Sequence, residues 1–112
     1  MIPFEITDWE QLSGTEYKGE IGTAIWRTKL YKGLRVRLID YSPGYKADHW
    51  CSKGHVVFCV EGEFISHLKD GSEYLVKKGM SYQTSDDASN PHLSVSLEGC
   101  RLFIVDGDFL NE

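Results

Sequence analysis

The chain has 112 residues, the size of one domain and enough to bury a core without disulfide or metal staples. Its composition, 41% hydrophobic and 26% charged, is that of a globular protein and excludes a disordered or fibrous one. Seventeen acidic residues against twelve basic ones give a net charge of -5 with no Lys/Arg cluster, which argues against nucleic-acid binding through phosphate neutralisation.

Along the chain, the N-terminal MIPFEITDWE carries acids and no basic stretch, so it does not read as a signal peptide. Thr7 and Glu10 have the spacing of a capping box, which predicts a short helical turn over Thr7 to Leu12 with Trp9 and Leu12 inward. No later segment keeps helical periodicity for ten residues. Thr23 to Tyr31 and Leu34 to Tyr41 flank Lys32-Gly33 as a predicted hairpin. Ser42-Pro43-Gly44 breaks the second of these strands. His55 to Val60 follows, closed by Glu61-Gly62, then Glu63 to Leu68, and Asp70-Gly71 turns the chain into Glu73 to Val76. Gly79 to Gln83 and Leu93 to Leu97 are weaker strands, and Arg101 to Asp106 is a strong last one. Eight or nine short strands at even spacing predict an all-β sandwich or closed barrel. The longest apolar run, Val56 to Val60, has five residues, far short of the roughly 20 that span a membrane. Three widely spaced cysteines do not form a disulfide framework, which points to a reducing cytoplasm.

Chemistry concentrates in one stretch. His49 and Cys51 are two apart, so in extended chain both leave the same face, and His55 opens the next strand after the Ser52-Lys53-Gly54 turn. A thiolate and two imidazoles suit zinc, iron, copper or nickel rather than magnesium or calcium. His92 stands where a later strand begins. The remaining candidates have plainer explanations. His67 reads as an ordinary histidine, Cys59 and Cys100 as buried small hydrophobes, and Trp26 and Trp50 as packing residues. Arg35 and Arg37 share one strand face, where salt-bridged surface is the default and anion binding the minority view. A blue-copper site is disfavoured, because its axial Met has no better candidate than the distant Met80.

The segment from residue 44 to residue 62, GYKADHWCSKGHVVFCVEG, resembles the first cupin motif, G-x₅-H-x-H-x₃₋₄-E-x₆-G. His49 matches the first His, Cys51 stands for the second, His55 for the Glu, and Gly62 is the closing glycine. Gly44 lies one residue too close to His49. Residues 79 to 96 are similar to the second motif, with Gly79 and His92 matching, two extra residues between them, Ser85 for the proline and Ser96 for the asparagine. More narrowly the chain resembles small single-domain cupins named for a DHCW motif. The similar stretches are IPFEITDW, GTAIWRT, ADHWCSKGH, EGE, GMSYQ and LFIVD, and the motif letters here read DHWC.

The resemblance implies a single cupin domain over residues 1–112, a jelly-roll β-barrel with a short N-terminal helical turn. It also implies one divalent transition metal on His49, Cys51, His55 and His92. Replacing Glu by His55 removes a negative charge that a Cys51 thiolate restores, so the donor set turns softer at constant charge. Four ligands on a tetrahedral ion make a structural site, whereas three His with Cys51 off the metal leave a catalytic opening. The functions expected are a small-molecule-binding metal cupin, a metal-dependent oxygenase or isomerase on a small polar substrate, or a metal-free binding module. Tyr82 and Asp48 are the candidate general bases. Val56, Phe58 and Val60 would share an outer face opposite His55, Val57 and Cys59, which predicts a homodimer, a pairing common among cupins.

Overall fold

Apolar residues recur at every second position through most of this sequence, and such alternation buries one face of a strand while leaving the other in water. In the computed structural model, which describes residues 2–111, that pattern yields nine strands. They are β1 (Thr15–Lys18), β2 (Thr23–Tyr31), β3 (Leu34–Tyr41), β4 (Tyr45–Lys46) and β5 (His55–Leu68), followed by β6 (Glu73–Lys77), β7 (Ser81–Thr84), β8 (His92–Ser96) and β9 (Cys100–Gly107). All pairings are antiparallel. One side of the jelly roll runs β1-β2-β3-β9-β5-β7 and the other β6-β5-β8-β4.

The long β5 belongs to both sides. Its first half pairs β7 and β9, and its second half pairs β6 and β8. The sequence reading divided this stretch into two strands at Glu61-Gly62, and the structure corrects that. The register against β9 shifts between Cys59 and Glu61, and Gly62 takes a φ of +76°, so the dipeptide bends one continuous strand instead of ending it. A Cβ at Gly62 would lie 2.5 Å from the Gly99 carbonyl oxygen, so the bend also needs the bare backbone.

Near the N-terminus, the helical turn is a 3₁₀ turn over Trp9–Gln11. Its cap is Asp8, whose carboxylate accepts the Glu10 N–H at 3.2 Å, in place of the expected Thr7. Glu10 pairs with Arg101 instead of closing a capping box. Trp9 is half-buried and meets Phe103 edge-on, 5.9 Å between centroids. Strands β1 and β4 were not expected from sequence. β1 is exposed at every position and β4 has only two residues, so neither carries an alternation to read.

The inner faces of β3, β5 and β9 place the site. Reading each along its inward positions gives Tyr41, Ile39, Arg37 and Arg35 on β3, Cys59, Val57 and His55 on β5, and Cys100, Leu102, Ile104 and Asp106 on β9. One end of the interior is therefore an apolar core around Ile39, Val57, Cys59, Phe64 and Leu102. The other end is a polar layer.

Candidate metal centre

Three donors meet in that polar layer. His55 begins β5 and His92 begins β8, while Cys51 forms an isolated backbone bridge with His92, donating at 2.8 Å and accepting at 2.9 Å. The bridge brings the Cys51 thiol over the interior, where Sγ lies 3.6 Å from Nε2 of His55. The donor atoms of Cys51, His55 and His92 all lie within 4.8 Å of one another. Both histidines are buried and Cys51 is half-buried. Their rings stand edge-to-face, 5.2 Å apart.

His55 is aimed by a residue that the sequence reading passed over. Asp106 accepts from Nδ1 of His55 at 2.8 Å, which puts a proton on Nδ1 and turns Nε2 toward Cys51. Asp106 lies opposite Arg35 in the β3–β9 ladder and accepts from Arg35 Nε at 2.9 Å and from Arg37 at 2.7 Å. The fourth sequence candidate stands apart. The ring of His49 is 75% exposed at the rim, its Nδ1 donating to Asp48 at 2.7 Å, so it is not among the converging donors. Residues 47–50 are irregular instead of extended strand, so the two-residue spacing does not set a common face, although His49 and Cys51 both line the same cavity.

No protein-family model and no curated protein matches the chain. Solved structures do. An RmlC-like cupin from Shewanella frigidimarina superposes with a TM-score of 0.74 at 20% identity, over 94% of this chain and 91% of that one. The chain has the cupin fold. An ectoine synthase from P. lautus is similar at a TM-score of 0.74 and 18% identity, covering 93% of this chain and 78% of that one. A predicted oxalate decarboxylase from Thermotoga maritima reaches 0.76 at 12% identity, over 93% of this chain and 100% of that one. At these identities the likeness is one of fold.

The polar layer opens onto a cavity of about 290 Å³, just below the roughly 300–1,000 Å³ range of ligand pockets. Its walls include Trp26, Tyr41, Phe64 and Tyr82, and its basic lining is Arg35, Arg37 and Lys53, with His49 at the rim. Electrostatics around the donors favour the ionic forms. Burial raises the Cys51 thiol, but hydrogen bonds from His55 and His92 outweigh it and bring the thiol down to about 5. Burial depresses His55, yet its bonds to Asp106 and Cys51 prevail and raise it. These two directions agree: without a bound cation the cluster shares a proton as a thiolate–imidazolium pair. Tyr82 is pushed up by burial and by the Cys51 charge, so it stays a phenol. Asp48 is held below the carboxylate range by its bond to His49.

The other residues singled out from sequence fall as follows. Cys59 and Cys100 are buried free thiols in the core, as expected. His67 faces Glu73 at 3.3 Å, outside the site. Trp50 lies under the Lys69 ammonium at 4.5 Å. Arg35 and Arg37 are salt-bridged to Asp106 at the barrel mouth, Arg37 buried and Arg35 partly exposed.

Proposed function

We propose that this cupin binds one divalent transition metal per chain through Cys51, His55 and His92, and holds a small molecule in the adjoining cavity. The observation that carries the proposal is the convergence of three soft or borderline donors within 4.8 Å, with His55 oriented from behind by Asp106. One thiolate and two imidazoles suit zinc, iron, copper or nickel. Such an ion would supply Lewis acidity or an activated water. Three protein ligands would leave a further coordination position for water or a small molecule, as in catalytic metal sites. The activity is therefore read as small-molecule binding that extends to a metal-dependent reaction of oxygenase or isomerase type. His49 would reach a fourth position only by turning away from Asp48.

The rest of the chain is read in the same way. We read the chain, 1–112 in sequence, as one cupin domain, and the three free cysteines as fitting a reducing cytoplasm. No described helix is long and apolar enough to cross a membrane. The chain is read as a homodimer through the outer face of β5. Trp9 covers Phe103 there, while Val56 and Phe58 stay 36% and 44% exposed.

The test uses tag-free protein. Elemental analysis after reconstitution should give one metal per chain, and cobalt loading should give a thiolate-to-cobalt charge-transfer band that Cys51→Ser removes. Affinity should fall as the pH drops and protons compete for thiolate and imidazole. Well under one metal per chain with an unchanged melting temperature favours the metal-free module, in which the Cys51–His55 pair itself is the functional group.

A further inference from the structure

We propose that the small molecule taken by this cavity is an organic monocarboxylate, received by the guanidinium of Arg37. The inference rests on the cavity being a small-molecule site, as read above, and adds the class of molecule.

Three observations carry it. Arg37 is only 3% exposed and lines the cavity, yet its Nε–H has no hydrogen-bond partner among the described residues. A buried donor left unpaired is costly, and native structures seldom leave one without reason. The guanidinium is also held in place, over the Trp26 ring at 4.5 Å from its centroid and with one nitrogen on Asp106 at 2.7 Å. Arg37 lines the cavity, so an acceptor arriving there would meet a guanidinium already held in place.

Charge points the same way. Although the chain carries a net charge of -5, no Asp or Glu is among the described residues lining the cavity. Arg35 and Arg37 share the single carboxylate of Asp106, so this end of the barrel holds one positive charge in excess. Arg37 keeps Asp106 as its counterion and Arg35 is about one-third exposed, so the excess charge is partly solvated, and one arriving negative charge would balance it. Lys53 at the mouth already faces Asp86 at 3.9 Å. The remaining wall, with Trp26, Tyr41, Phe64 and Leu102, is aromatic and apolar and fits the organic body behind a carboxylate.

The full chain, labelled with nitrogen-15, is titrated with propionate, benzoate, their amides and inorganic phosphate, each with and without zinc. The Arg37 Nε–H resonance is followed by NMR. Each carboxylate should bind about tenfold more tightly than its amide and move the Arg37 resonance downfield. Arg37→Lys should remove most of that preference. Should this variant fail to fold, the carboxylate-to-amide ratio and the wild-type Arg37 signal carry the test. Equal affinity for acid and amide, no binding of either, a stationary Arg37 resonance, or tighter binding of phosphate would each overturn the inference. The two proposals fail separately. Zinc bound without any carboxylate preference sinks this inference alone, and a carboxylate preference without zinc binding sinks the metal reading alone.

Discussion

Asp106→Asn removes one charge from the centre of the polar layer while keeping the side chain's shape. The carboxylate receives three N–H groups from Arg35 and Arg37 and one from His55. Arg35 is about one-third exposed and can turn to water, so losing its ion pair costs roughly 1 kcal/mol or less. Arg37 is buried and has nowhere to go. Stranding the partner of a buried ion pair costs about 3–5 kcal/mol, and the Asn carbonyl oxygen keeps one acceptor, which places the loss near 3 kcal/mol. Against a total stability of roughly 5–15 kcal/mol, thermal unfolding followed by circular dichroism should show a drop of roughly 10 °C. The deficit should depend on pH. Burial raises the Asp106 carboxyl, but hydrogen bonds from His55 and Arg35 and the charge of Arg37 prevail and hold it well below the usual carboxylate range. A depressed folded value against an unfolded one near 3.9 means that the contribution is complete above about pH 5 and is lost progressively as the pH falls through the carboxylate range. The gap between wild type and variant should therefore narrow below about pH 4. The same variant should bind metal about 10–100-fold more weakly, because the His55 Nδ1–H loses its partner. A midpoint within about 2 °C of wild type at neutral pH would refute the account of Asp106 as the hub of the layer.

Cys51 alone of the three cysteines should react with iodoacetamide near neutral pH, since burial pushes Cys100 up to about 12 and also raises Cys59. Peptide mass spectrometry reads this directly, and saturating zinc should slow the Cys51 reaction; equal rates with and without zinc would exclude coordination. Gly62→Ala should destabilise by about 2 kcal/mol, because a φ of +76° and the Gly99 carbonyl leave no room for a Cβ. An unchanged urea midpoint would show that the bend in β5 relaxes freely. Light scattering should give twice the 12.8 kDa chain mass for wild type and the single mass for Phe58→Asp. A wild-type mass of one chain would discard the dimer.

Much of the fold was legible because burial in a two-sided sheet writes itself as alternation. β2 and β3 fall on their predicted residues, and the inward His55, Val57 and Cys59 were separated correctly from Val56 and Phe58. Glu61-Gly62 misled because a bulge and a turn use the same residue types; only the register against β9 distinguishes them. Among the candidate donors, Cys51, His55 and His92 converge, but the face shared by His49 and Cys51 assumed a strand that is not there. Asp106 was hidden by distance. Its partner His55 lies 51 residues earlier in sequence, and a carboxylate ending an apolar strand looks like solvent-facing punctuation until the inner face is known.

The place of Asp106 on β9 also sets when this molecule can become itself. β9 lies between β3 and β5 and bonds to both, so the larger side of the barrel stays open until residues 100–107 are in place. A ribosome will have released nearly all of the preceding strands before that gap can close, and pairings of such long sequence separation form slowly. Until then, Arg37 has no counterion and His55 has no support on its Nδ1. The support behind His55 thus arrives in the same step that seals the barrel.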